Sequence, residues 1–313
     1  MPKNRTQRLT QGAMMVALFT VLSAIVSYVP VLSVITIWFI PLPIAWYSAM
    51  YDRKASSLVA IVSIVLTILI SGILALPLAV VFCLAGFIIG DAIRTKKSKV
   101  FLLMSTGVTV LISTAFMYVI SVKFFKIDFL KELMTGVRKS YEKSNELAES
   151  ITGKAPFTAE QLENMFNLMD MAMPTLITMS VFILTFLLIT VNLPLLKRLG
   201  ITVPKFASFR DLKLPRSVLW YYMLVLIVTL FIKPESGTFI YIAFLNISFI
   251  LNMLLLLQGI SFIQYYMHQQ GWPKWTVVVG TILALPLQSF VTLLGIVDLG
   301  FNIRALVTGM PRK

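Results

Sequence analysis

Few side chains in this sequence have a type and spacing suited to chemistry. There is one histidine, His268, and one cysteine, Cys83. Standing alone, His268 gives no basis for a His-based metal cluster or a Ser–His triad. Cys83 lies inside a hydrophobic run and supports no disulfide framework. A Walker loop, GxxxxGK[ST], is absent, so ATP hydrolysis by that route is not expected. Eight of the 13 acidic residues fall between Lys123 and Met171, with no partner at catalytic spacing. The pattern points away from an enzyme and calls for no cofactor and no metal.

What remains is a set of polar groups embedded in greasy runs: Asn246, Asn252, Gln258, Asp298 and Arg304. An ionised group at membrane depth costs about 2.5–3.5 kcal/mol on insertion scales, so Asp298 and Arg304 need a purpose or a hiding place. At headgroup level they cost little. Inside a helical hairpin they become an ion pair or a ligand contact. Asn246, Asn252 and Gln258 recur at intervals of six, which turns a helix by about 600°. They therefore share no face, and a pore-lining stripe is not supported. Helix-to-helix hydrogen bonds are the default reading.

The elements that must position these groups are membrane spans. The chain is 58% apolar and 13% charged, where a soluble domain is nearer half apolar and a quarter charged. Runs of about 20 apolar residues recur, each long enough to cross roughly 30 Å of hydrocarbon. Backbone groups in lipid must be satisfied within the segment, and alternating strands are absent. The expected fold is an all-α polytopic transmembrane helical bundle of about nine spans, eight to ten being possible. Net charge is +14, but the basic residues cluster in short loops, as the positive-inside rule produces. No Arg–aromatic platform or soluble basic domain suggests a nucleic acid.

Five spans fall within residues 1–122: roughly Gly12–Val29, Val31–Met50, two helices across 55–91 broken at Ser71–Gly72, and Val100–Val122. Lys3, Arg5 and Arg8 precede the first span. With the N-terminus cytoplasmic, the basic turns at 52–54 and 94–99 fall inside together. Residues 123–171 form an extracytoplasmic interlude, either a solvated connector or a lid. Thr158 and Gln161 read as a capping box, and Phe157 and Leu162 as a hydrophobic staple. They open an amphipathic helix expected to lie on the outer surface and to turn at Pro174 into the sixth span, 172–196. A weaker helix is expected over Phe125–Leu147. Residues 197–216 form a basic cytoplasmic loop carrying Lys205, and 217–313 a C-terminal membrane block. The final run, Trp275–Val307, reads as one span by parity, leaving Arg304, Arg312 and Lys313 outside. By charge it reads as a hairpin broken at Pro286. We expect the single span. Ile73–Leu78 and Ile282–Leu287 both read ILALPL, with Gly86 and Gly295 at the same offset beyond.

Small residues four apart make flat helix faces that let another backbone approach. Ala45/Ala49 and Gly86/Gly90 suit packing within the bundle. Ala13/Ala17, with Gly12 beside them, suit contact with a separate protein. Tyr28, Trp38, Trp46 and Tyr47 surround the first hairpin as belt aromatics; Tyr28 and Trp38, near its outer end, are candidates to wall a small-molecule pocket. Asp91, beside Arg94, is expected at the interface.

The first six spans resemble the substrate-binding membrane subunits of energy-coupling-factor transporters. The likeness rests on a basic N-terminus, the AxxxA pair Ala13 and Ala17, and a Pro-rich second span with Pro41 and Pro43. It covers roughly residues 8–196. It implies that Ala13 and Ala17 dock on a transmembrane coupling subunit driven by ATPases. Taken whole, the chain resembles the YybS-like family of bacterial membrane proteins, which carries no assigned activity. There an energy-coupling-type N-terminal half is followed by extra spans and a late acidic residue plus Arg, here Asp298 and Arg304. The expected function is a solute-binding or transport subunit in the bacterial plasma membrane, its solute unknown. The alternative is a non-transporting scaffold or regulator whose basic cytoplasmic loops bind partners or anionic lipid.

Overall fold

The computed structural model describes residues 5–204, 208–284, 286–301 and 303–307, which are helical apart from short connections. Lys3, Lys205, Arg312 and Lys313 lie outside the described residues. Seven described helical stretches are long and apolar enough to cross a membrane: Arg5–Tyr28, Pro30–Met50, Arg53–Ser71, Ile73–Arg94, Lys99–Phe125, Ala159–Arg198 and Phe239–Gln269. The helix Ser217–Phe231 has 15 residues and is about 22 Å long, less than the roughly 30 Å of hydrocarbon.

The chain divides into two compact units. The first holds residues 1–157 and 178–205. Its helices are α1 (Arg5–Tyr28), α2 (Pro30–Thr36), α3 (Leu42–Met50), α4 (Arg53–Ser71), α5 (Leu76–Arg94), α6 (Lys99–Ile120) and α7 (Phe129–Thr152). The C-terminal half of α8 (Ala159–Arg198) completes it. Local sequence sets the boundaries. The Asp52 carboxylate caps α4 by accepting from the Ala55 N–H at 3.3 Å, and Ser98 caps α6 through the Phe101 N–H at 3.2 Å. Helix α4 stops at Gly72, whose φ of +81° is open to glycine and little else.

Two small-residue faces meet in this unit. A Cβ at Gly86 would lie 2.5 Å from the Pro41 carbonyl oxygen, and one at Gly90 would lie 2.3 Å from that of Ala45. The glycines of α5 thus bring its backbone onto α3 beside Ala45 and Ala49, which is the bundle packing expected of both pairs. Phe19, Ile44, Tyr47, Phe82 and Leu188 form the core next to this crossing.

The second unit holds residues 158–177 and 206–313. It comprises the start of α8 with α9 (Ser217–Phe231), α10 (Phe239–Gln269), α11 (Lys274–Ala284), α12 (Gln288–Phe301) and α13 (Ile303–Val307). Helices α10 and α12 cross through glycines as well. A Cβ at Gly259 would lie 2.0 Å from the Val291 carbonyl oxygen, and one at Gly295 would lie 2.1 Å from that of Leu255. Gly86 and Gly295, at matching offsets from the ILALPL echo, therefore each sit at a close helix crossing. The echo itself does not repeat a conformation: the first copy opens α5, and the second straddles the end of α11.

Two expectations are corrected. The chain does not turn at Pro174, because α8 runs unbroken over 40 residues through it. The final run is not one unbroken helix: α11 and α12 meet at 107° across the break that holds Pro286, the geometry of a broken span or a re-entrant loop. Proline removes a backbone donor and crowds the preceding turn in both places. At Pro174 another helix supplies a replacement.

Candidate functional site

The densest polar cluster among the described residues is in the second unit, around Asp298. Helix α12 carries this aspartate to a fully buried position. Gln258 and Ser261, three residues apart and so on one face of α10, are fully buried as well. Asp298 Oδ2 accepts from Gln258 Nε2 at 2.6 Å and from Arg304 Nε at 2.9 Å. The Oδ1 oxygen has no hydrogen-bond partner among the described residues. A buried carboxylate needs such company, since an uncompensated charge in an apolar interior costs several kcal/mol.

Arg304 then reaches the loop ahead of α9. Its Nη1 donates to the Arg210 carbonyl at 2.8 Å and its Nη2 to Ser261 Oγ at 3.0 Å. Its guanidinium carbon lies 5.2 Å from the Tyr265 ring centre, a cation–π distance. Ser261 Oγ is 2.9 Å from the carbonyl oxygens of both Phe209 and Leu212 and 3.2 Å from that of Arg210. One hydroxyl proton serves one of these at a time. Gln258 Oε1 accepts from the Leu214 N–H at 2.9 Å. Asp298, Gln258, Arg304 and Ser261 thus hold residues 209–214 against α10 through the loop's own backbone. Loop backbone buried away from water must find such partners.

Asn246 does different work. Its Nδ2 donates to the Met171 carbonyl at 2.8 Å, and its Oδ1 accepts from the Thr175 N–H at 3.0 Å. In an uninterrupted helix those two backbone groups would bond each other. Pro174 opens that turn, and the carboxamide of α10 closes it. The Thr175 hydroxyl lies 2.7 Å from Asn246 Oδ1 and 3.0 Å from its carbonyl oxygen and donates its one proton to either. This bridge keeps α8 continuous. Asn252, by contrast, is exposed and bonds only its own helix, at the Ser248 carbonyl, 3.0 Å away.

The remaining sequence candidates lie in the first unit. Helix α1 buries Gly12, Met15, Val16 and Phe19 and leaves Ala13 and Ala17 exposed, with Met14 and Leu18 on the same side. Tyr28 is exposed, and its hydroxyl donates to the Ile70 carbonyl at 2.6 Å, tying the ends of α1 and α4 together. Trp38 packs against the core, and its carbonyl accepts from Asn192 Nδ2 at 2.9 Å. Tyr28 and Trp38 are thus held by different partners. Asp91 takes a two-pronged ion pair from Arg53, at 2.8 and 2.9 Å, and a short one from Arg94. A cleft of about 250 Å³, which the sequence did not announce, opens where α9 ends and α10 begins. It is lined by Thr229, Lys233, Pro234, Tyr241, Phe244, Leu245 and Ser248.

Comparison with known proteins identifies the family. The family model described as "Predicted membrane protein (DUF2232)" matches residues 17–299. The chain belongs to this family. Within reach of DUF2232, the "Uncharacterized protein YybS" of Bacillus subtilis (strain 168) is 31% identical over 306 residues, which is 96% of this chain and 98% of that protein. No solved structure matches the chain. Membership in DUF2232 and the seven apolar helices make this a multi-pass integral membrane protein. Neither description names an activity, so the energy-coupling resemblance rests on the residues alone. Two features had a signal in the sequence that reading along one helix cannot decode. A proline inside an apolar run asks for a partner from elsewhere, and Asn246 is 72 residues further on. A Gln–Ser pair three apart in a span, with a late Asp and Arg, asks for a buried cluster.

Proposed function

We propose that this protein is a solute-binding or transport subunit of the energy-coupling type, seated in the bacterial plasma membrane with its N-terminus in the cytosol. It works with a separate transmembrane coupling subunit, which ATPases drive. The observation that carries this reading is the division of α1. Its Gly12, Met15, Val16 and Phe19 face the bundle, while Ala13 and Ala17 face away. A flat, small-residue strip on the outer side of a span allows close approach by another helix. Among the described residues both alanines are left exposed. By contrast, the Ala45/Ala49 and Gly86/Gly90 faces are spent on each other.

The test is co-purification from gentle detergent, with Ala13→Leu and Ala17→Leu combined. Both positions are exposed, so the variant folds with its thermal midpoint unchanged and loses its transmembrane partner. Native mass spectrometry on the wild-type complex shows a bound small molecule. A variant that keeps the same partners, with no small molecule in either preparation, overturns the proposal in favour of a scaffold acting through its basic loops.

A further inference from the structure

We propose that α7 is an interfacial helix, seated on the bilayer by one apolar edge and indifferent to the charge of the lipid. The helix begins at Phe129, four residues after Phe125 closes the preceding apolar stretch. Its N-terminus is therefore held at the membrane surface by covalent connection. Phe124, in the last turn of that stretch, is exposed.

The sequence of α7 separates cleanly around its axis. At about 100° per residue, Phe129, Leu133, Leu147 and Ile151 fall within roughly 40° of arc. All four are exposed, and Ile151 reaches 82%. Gly136 and Ser140 fill the middle of the same edge, so nothing charged interrupts it. A second apolar flank, with Leu130, Met134 and Val137, is partly buried. Counted from Phe129 on the same scale, the eight charged residues of the helix fall in the remaining arc, roughly 180° to 320°, with Lys143 and Glu132 bordering the edge. An exposed apolar edge backed by a charged face is the pattern of a helix lying in the headgroup–acyl boundary. A solvated connector has no reason to sort its residues this way, and a bundle helix would have buried them.

The charges decide which lipids matter. Lys131, Arg138, Lys139 and Lys143 balance Glu132, Glu142, Glu146 and Glu149. Interfacial helices that depend on anionic lipid carry a basic polar face, each Lys or Arg adding attraction. Here the two signs cancel, which leaves apolar burial as the driving force.

The experiment uses the full chain in nanodiscs, with Cys83→Ala as background. Single spin labels are placed through Leu133→Cys and Ile151→Cys on the apolar edge, and through Lys139→Cys and Glu146→Cys opposite. Accessibility to oxygen and to a water-soluble nickel complex then reports depth. The expected result puts 133 and 151 in lipid, about 5–10 Å below the headgroups, and 139 and 146 in water. The same depths are expected in pure phosphatidylcholine and with one third phosphatidylglycerol. Equal access of all four labels to the nickel complex overturns the proposal, because the helix is then solvated. Dipolar broadening between copies at 133 or 151 overturns it too, because the edge is then covered by a second chain. Depth that appears only with phosphatidylglycerol refutes the charge argument.

Discussion

Removing both members of the Asp298–Arg304 pair should cost clearly less than the sum of removing each alone. In Asp298→Ala the Arg304 guanidinium keeps its bonds to the Arg210 carbonyl and to Ser261 but loses the buried carboxylate opposite it. Gln258 Nε2 loses its acceptor as well. In Arg304→Met the Asp298 carboxylate keeps only the amide of Gln258. Breaking a buried pair in this way costs about 3–5 kcal/mol. The double variant, Asp298→Ala with Arg304→Met, removes both charges, so its cost falls short of the sum of the singles by about 2–3 kcal/mol. Unfolding by SDS in mixed micelles measures all four corners of the cycle. Trypsin supplies an independent readout, because Arg210, Lys213 and Arg216 lie in or beside the pinned loop. Cleavage there rises in both single variants. Singles that add within about 0.5 kcal/mol would refute the reasoning. The pair would then be dispensable to the fold, and the loop would be held by other means.

Three further outcomes follow from the geometry. Asn246→Leu costs about 1–3 kcal/mol by leaving the Met171 carbonyl and the Thr175 N–H unpaired, and most of that cost vanishes in a Pro174→Ala background, where the helix closes its own ladder; the same unfolding cycle checks it. Gly90→Ala forces a Cβ to 2.3 Å from the Ala45 carbonyl and destabilises by about 1–3 kcal/mol, whereas Gly136→Ala, with nothing within 4 Å, is neutral or stabilising by up to about 1 kcal/mol. The start of α7 loosens in acid: the Lys131 N–H, then the Tyr118 hydroxyl, hold the Asp128 carboxyl below its ordinary value of 3.8. That lowering stabilises the ionised cap above the ordinary value and is lost as pH falls through the folded one. Hydrogen-exchange protection factors at residues 129–133 should therefore stay flat from pH 7 to 5 and fall below pH 3.8, and Asp128→Asn should abolish that fall.

Much of this fold was legible because lipid is a severe solvent. Apolar runs, the break at Gly72, and the basic turns could be read along the chain without knowing any contact. The capping box was legible for the same local reason, and both of its bonds form: Gln161 N–H to Thr158 Oγ1 at 3.2 Å, and Thr158 N–H to Gln161 Oε1 at 2.9 Å. What could not be read were consequences of distant residues. Pro174 signals a turn to any local rule, and Asn246 overrides it from another helix. Asp298 and Arg304 were recognisable as costly at membrane depth. Their burial depends on Gln258 and Ser261 of α10 and on carbonyls of residues 209–212, which no periodicity reveals. Ala13 and Ala17 look like any other small pair in sequence. Only their exposure, against the burial of Ala45 and Gly86, separates them.

That separation is best tested in living cells with a photo-crosslinking amino acid replacing Ala17, compared with one replacing Leu69. Both positions lie on the outside of the first unit, and Leu69 is 73% exposed. A strip that docks a coupling subunit yields a discrete protein adduct from position 17 and none from position 69. Adducts to lipid alone at both positions would contradict the account and leave α1 as one more lipid-facing span.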